Sequence, residues 1–211
     1  MSGFRFGIVE LRDSTPQEWL RVWSDRYAQD DDLEHNDLIA RHVSFSADDF
    51  ERIGKWKDGA KEGRWKANVA SVAYSVWKRA AEELPKCPEQ GEVADFLDRW
   101  CGETYTDVFP NKSVVKHFGL SRATTLLHFV SGGHYPIFDS RVRIAISRLG
   151  HSPVQDTVHC YLNSFCPSFF ELAVLCGTEN DLRRLDKALF SYGAFESILF
   201  SNWPTTHPAT M

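Results

Sequence analysis

The residue best placed to do chemistry is a single acid, Asp139, within GLSRATTLLHFVSGGHYPIFDSRVRIAISRLG (residues 119–150). Before it, Ala123, Leu126, Leu127 and Val130 recur at i, i+3, i+4 and i+7, the apolar face of a helix. Gly132 and Gly133 stop that helix, and Pro136 forbids its resumption. After it, Val142, Ala145, Ile146 and Leu149 form the next apolar stripe, closed by Gly150. Asp139 therefore takes the N-cap of the second helix. There a carboxylate accepts bonds from free backbone N–H groups, and the helix dipole favours its negative charge. An anion fixed at a cleft can activate water or stabilise a developing cation. A cap without chemistry is the other reading, because Asp is among the preferred N-cap residues.

The pattern extends beyond the acid. A hairpin ends at Gly119 and a helix opens at Ala123; Pro136 stands three residues before Asp139, Val142 three after and Arg148 nine after. This run resembles the core motif of the helix-hairpin-helix DNA glycosylase superfamily, especially its adenine-mismatch and endonuclease III-like branches. The segment HYPIFD is similar to the His-Phe-Pro-Ile-Leu-Asp of the adenine branch. The resemblance implies an all-α, two-lobed fold whose cleft receives a nucleotide flipped out of duplex DNA. On it, residues 1–211 form one unit. Residues 1–88 and 151–205 make one lobe, and 89–150 the other, with the hairpin at 111–131 and the Asp139 loop.

The resemblance also implies roles. Asp139 activates water or stabilises the oxocarbenium ion as the N-glycosidic bond breaks. Bifunctional members carry a lysine nucleophile eighteen residues before that aspartate; here the position is Ser121, as in monofunctional members. Ser121 then sits beside the substrate without attacking it, and lyase chemistry is absent unless Lys112 or Lys116 substitutes. The family hairpin reads Leu-Pro-Gly-Val-Gly, whereas this chain has Val115, Lys116, His117, Phe118 and Gly119. Glycines there bring backbone N–H groups close to a DNA phosphate, so Lys116, His117 and Gly119 are the expected contacts of an altered hairpin. Ser140, Arg141 and Arg143, on the first turn after Asp139, would hold the phosphate next to the flipped nucleotide. Arg148 is either part of that set or structural. Candidates for the base pocket are Trp23, Trp56, His117, Phe118, Phe190, Tyr192 and Phe195, although aromatic residues at helical spacing usually face the core. The segment DLRRLDKALFSYG resembles 8-oxoguanine-glycosylase-like proteins found beside bacterial antiviral genes, which implies a modified nucleobase in phage DNA, or another nucleotide, as a target. A catalytically inactive protein on the same fold, binding nucleic acid or a protein partner, is the alternative.

Composition sets outer bounds. With 43% hydrophobic and 25% charged residues the chain is an ordinary globular one. No apolar run reaches membrane-spanning length and no signal-peptide core opens the chain, so a cytoplasmic protein without a membrane partner is expected. The net charge of −5 hides an asymmetry: residues 1–50 are acidic, and 55–79 carry seven bases against two acids. A local basic face suffices for DNA. Cys87, Cys101, Cys160, Cys166 and Cys176 lack zinc or iron–sulfur spacing and read as free thiols; no metal or cofactor is expected.

The positioning elements are helices throughout. Thr15, Pro16 and Glu18 start one that runs to about Ala28 with Trp19, Leu20, Trp23 and Tyr27 inward. Asp30 to Asp32 reads as a solvated break, and Ser46 with Asp49 caps the helix of Phe50, Ile53 and Trp56. The longest helix is expected from Gly63 to Leu84, with Lys61, Arg64, Asn68, Ser71, Ser75 and Lys78 as a polar stripe suited to tracking a phosphate backbone or to solvation. Others follow at Glu92–Trp100, near 113–117, near 155–163, near 169–176, and from Asp181 to a stop at Gly193.

Overall fold

The computed structural model describes residues 14–27, 32–58, 79–80, 82–84, 88–101, 119–150 and 155–201, and among them every regular element is helical. The expected helices over 63–84 and 113–117, apart from a fragment near Leu84, lie outside these residues, as do Lys112, Lys116, His117 and Phe118.

Helix α1 (Pro16–Ser24) opens on a reciprocal capping box: Glu18 N–H donates to the Thr15 hydroxyl at 3.2 Å, and Thr15 N–H to the Glu18 carboxylate at 2.9 Å. It buries Trp19, Leu20 and Trp23 and ends four residues earlier than expected. Tyr27 leaves the stripe because its ring packs on Phe190 and its hydroxyl accepts from Arg183 at 3.2 Å. Helix α2 (Asp32–Ala40) follows. Its first residue is the acid Asp32, still 43% exposed at its side chain, which pairs with Lys187 and Arg183. Helix α3 (Ala47–Asp58) has the Ser46–Asp49 box, with Ser46 N–H donating at 2.8 Å. Burial would raise the Asp49 carboxyl, but the Ser46 bonds, Arg41 and Arg52 outweigh it and hold it below the usual range.

Helix α4 (Gln90–Cys101) turns Val93, Phe96, Leu97 and Trp100 inward, as its spacing dictates. Helix α5 (Leu120–Val130) is the central rod, buried at every position from Ala123 to Val130 and flanked by α2, α3 and α4. It opens at Leu120 and not at Ala123, because the Gly119 carbonyl already accepts from the N–H groups of Arg122 and Ala123. Helix α6 (Ser140–Arg148) buries Val142, Ala145 and Ile146 and ends at Leu149, with Gly150 beyond it at φ 115°.

A three-residue helix α7 (Val158–Cys160), a π-helical turn (Tyr161–Phe165) and α8 (Cys166–Cys176) run on without a break where two separate helices were expected. Widening the coil just ahead of Pro167 relieves the missing N–H and ring clash of an interior proline. Helix α9 (Leu182–Ser201) passes straight through Gly193, the expected stop. Gly193 is instead a contact point: a Cβ there would lie 1.8 Å from the Arg141 carbonyl oxygen. Backbone meets backbone where α9 crosses α6, the most extensive helix pair among the described residues. One apolar core, from Trp19 to Tyr192, joins all the longer helices.

Candidate active site

Asp139 is the N-cap of α6, with φ −86° and ψ 147°, and its Oδ1 accepts from Arg141 N–H at 2.9 Å. The loop that delivers it is tied down residue by residue. The Ser131 hydroxyl accepts from Tyr135 N–H at 3.3 Å, and the Tyr135 carbonyl accepts from His128 Nδ1 at 2.8 Å. The Pro136 carbonyl accepts from the Tyr161 hydroxyl at 2.9 Å, and Phe138 N–H donates to the Thr124 hydroxyl at 3.0 Å. Ile137 and Phe138 are buried. Positive φ values at Gly132 (65°) and Gly133 (86°) let the chain turn out of α5 into this loop. The carboxylate thus sits on a frame with little freedom.

Its second oxygen meets a cation that lies 82 residues away in sequence. Oδ2 accepts from Lys57 Nζ, in the last turn of α3, at 3.1 Å. The Lys57 and Asp139 side chains keep 14% and 21% of their surface open, so the pair is reachable at the protein surface. Behind it lies a polar cluster built from α2, α5 and α9. Burial pushes the Asp186 carboxyl up and the charge of Asp139 adds to the rise, while Arg183, 2.6 Å away, opposes it. Arg183 also faces Asp32 and lies over the rings of Tyr27 and Trp56 at 5.1 and 5.3 Å. Two buried histidines complete the group, His35 Nε2 and His128 Nε2 standing 2.9 Å apart. Since His128 Nδ1 donates to Tyr135, its Nε2 accepts, and His35 supplies the shared proton. Burial lowers both to about 4; His128 and Arg183 reinforce this for His35, and Arg183 and Lys57 for His128.

Of the residues expected from sequence, Ser121 lies on the second position of α5, one turn before the Thr124 that clamps Phe138; its carbonyl accepts from the Thr125 hydroxyl at 2.7 Å. Gly119 is exposed, with nothing within 4 Å of a Cβ added there. Ser140 is exposed at the first position of α6. Arg141 stacks over Phe190 at 4.5 Å. Arg143 lies over Phe138 at 5.0 Å and pairs with Asp156 at 3.4 Å. Arg148 pairs with Glu196 at 3.6 Å, away from the acid. Trp23 and Tyr192 are core residues, in edge contact with each other. Trp56 borders the site, edge-on to Phe129, its buried indole N–H without an acceptor.

Lys57, Asp186, Arg183, His35 and His128 were not legible as a group. They come from four helices, and no spacing within one segment connects them. No triad or larger cluster of metal-ligating side chains exists among the described residues, and no helix there is long and apolar enough to cross a membrane. The chain matches none of the protein-family models, curated proteins or solved structures with which it was compared.

Proposed function

We propose that this protein is a DNA N-glycosylase-like enzyme that cleaves the bond between a modified or damaged base and its sugar, on a nucleotide flipped from duplex DNA into a cleft between two helical lobes. The observation that carries the reading is Asp139 itself: a surface-reachable carboxylate at a helix N-terminus, on a loop clamped by bonds from α5 and Tyr161. Breaking an N-glycosidic bond develops positive charge on the sugar, and a preset anion beside it lowers the barrier without reorganisation. Arg141 and Arg143, on the turn that follows, supply guanidiniums for the flanking phosphate once they leave Phe190 and Asp156. Ser121, near the clamp, belongs to the substrate side of the site. No cofactor enters this chemistry.

The deciding experiment incubates the full chain with duplexes carrying a panel of damaged and modified bases, including those of phage DNA, and reveals abasic sites by alkali cleavage. Asp139→Asn keeps the size of the cap and removes its charge. Excision should fall by about 10²-fold or more, with the fold intact by circular dichroism. Equal base release by wild type and variant removes Asp139 from the chemistry. One feature favours a second reading, an inert scaffold that binds nucleic acid or a protein partner: both Asp139 oxygens already have partners. Salt-sensitive DNA binding without base release by the wild type would select it.

A further inference from the structure

The charges gathered around Asp139 balance one against one. Lys57 holds Asp139 at 3.1 Å, Arg183 holds Asp186 at 2.6 Å, and Lys187 holds Asp32. Arg141 pairs with no carboxylate among the described residues, and the first turn of α6 sets the positive end of its dipole beside Asp139. The nearby rings are engaged as well. Arg183 lies over Trp56 at 5.3 Å and Tyr27 at 5.1 Å, Arg141 over Phe190 at 4.5 Å and Arg143 over Phe138 at 5.0 Å. A cationic ligand is held by a carboxylate with charge to spare or by the open face of a ring. Here each of these acids already has its cation, and each of these rings already has a guanidinium over it.

We propose that this site selects bases that are uncharged within DNA, such as oxidised or deaminated ones, and that the Lys57 ammonium discriminates against the cationic bases left by alkylation of a purine ring nitrogen. The inference rests on the glycosylase reading above. When a neutral base is hydrolysed, the C1′–N bond breaks with its electron pair leaving on the base. The water oxygen bonds to C1′, and the proton that water loses balances the one the base gains. Sugar and base then carry opposite charges in the transition state, and the sum is zero. An ion pair complements such a separation. A cationic base leaves as a neutral molecule and the water proton passes to solvent, so one positive charge persists throughout. Because kcat/KM compares the transition state with free enzyme and free substrate, that charge meets Lys57 without compensation. With C1′ beside Asp139, Lys57 stands about 7 Å from it, and at the effective dielectric of a protein surface the repulsion amounts to about 10- to 100-fold.

The test divides the base panel by charge, with 8-oxoguanine, uracil and hypoxanthine against 7-methylguanine and 3-methyladenine, and expresses each release by the full-length chain relative to spontaneous loss of that base. Wild type should accelerate release of a neutral base and of no cationic one to a comparable degree. A second measurement needs no turnover: affinity for duplexes carrying a pyrrolidine nucleotide, cationic at neutral pH, or its uncharged tetrahydrofuran counterpart. Lys57→Gln, which keeps a donor for Asp139 and loses the charge, should shift the affinity ratio towards pyrrolidine by about 10- to 100-fold. Lys57→Arg should leave it as in wild type. Both ligands are compared on the same protein, so a partly unfolded variant does not alter the ratio, and the wild-type panel decides should the variant fail to fold. Equal acceleration for cationic and neutral bases, or an unchanged ratio in K57Q, overturns the proposal and leaves the glycosylase reading standing. Release of no base from any panel member removes that reading and the proposal with it.

Discussion

Thr124 has no exposed surface, and its hydroxyl serves both the helix that carries it and the loop beyond. It donates back to the Leu120 carbonyl at 2.9 Å and accepts from Phe138 N–H at 3.0 Å, one residue before Asp139. Thr124→Val keeps the shape and deletes the acceptor, so the buried Phe138 N–H loses its partner. An orphaned buried donor costs about 1–3 kcal/mol, which urea denaturation should register, while Thr124→Ser should cost distinctly less. Base excision by the Val variant should fall further than stability alone explains, since the Asp139 loop loses a tether. Loss of stability without any extra loss of activity would mean that the loop does not position the acid. At this scale the sequence is legible only where geometry is local. Asp139 as an N-cap follows from punctuation on both sides of it, whereas its pairing with Lys57 depends on how α3 lies against α5 and α6, which no spacing within one segment encodes.

A helix that is glycine-terminated in sequence and glycine-pierced in the structure makes the same point for whole elements. The capping boxes of α1 and α3 are four-residue signals, and both form as written. Gly193 also looks like punctuation, but tertiary packing decides its role: the backbone of α6 at Arg141 fills the space where a side chain would be. Beyond it the helix continues, with Phe195 against the Trp23 ring and Glu196 paired with Arg148. Gly193→Ala would raise the intrinsic propensity of α9, by about 1 kcal/mol if the site were open. Here its methyl meets a carbonyl oxygen at 1.8 Å, backbone that cannot rotate aside, so α6 and α9 must separate. The net effect should be destabilising, by about 1–3 kcal/mol in a denaturant titration. Because Arg141 N–H also holds the Asp139 carboxylate, the displaced turn should lower excision too. A neutral or stabilising substitution would contradict the close crossing.

At the scale of the molecule, an aromatic-rich α-helical core was legible from composition and periodicity, but the polar group buried inside it was not. His35 and His128 read in sequence as two scattered histidines, yet they meet at 2.9 Å where α2 docks on α5, beside Trp56 and Phe129. Burial, foremost, lowers each to about 4, against an unfolded value of about 6.5. The sign follows directly. Between those two values the unfolded chain binds protons that the folded one refuses, so stability is complete above about pH 6.5 and declines as pH falls towards 4. One such histidine accounts for about 3 kcal/mol across that window. Protonating both rings is harder than protonating one, because they would then meet as like charges with a hydrogen on each Nε2. Carboxylates held low by hydrogen bonds and ion pairs, such as Asp49 with Ser46, Arg41 and Arg52, act in a separate and more acidic range, below about pH 4. Denaturation midpoints measured across this window should therefore begin to drop below about pH 6.5, and His35→Gln, which removes one titrating ring, should flatten that drop even though it costs stability at neutral pH. A variant whose pH dependence parallels wild type would place the acid sensitivity elsewhere.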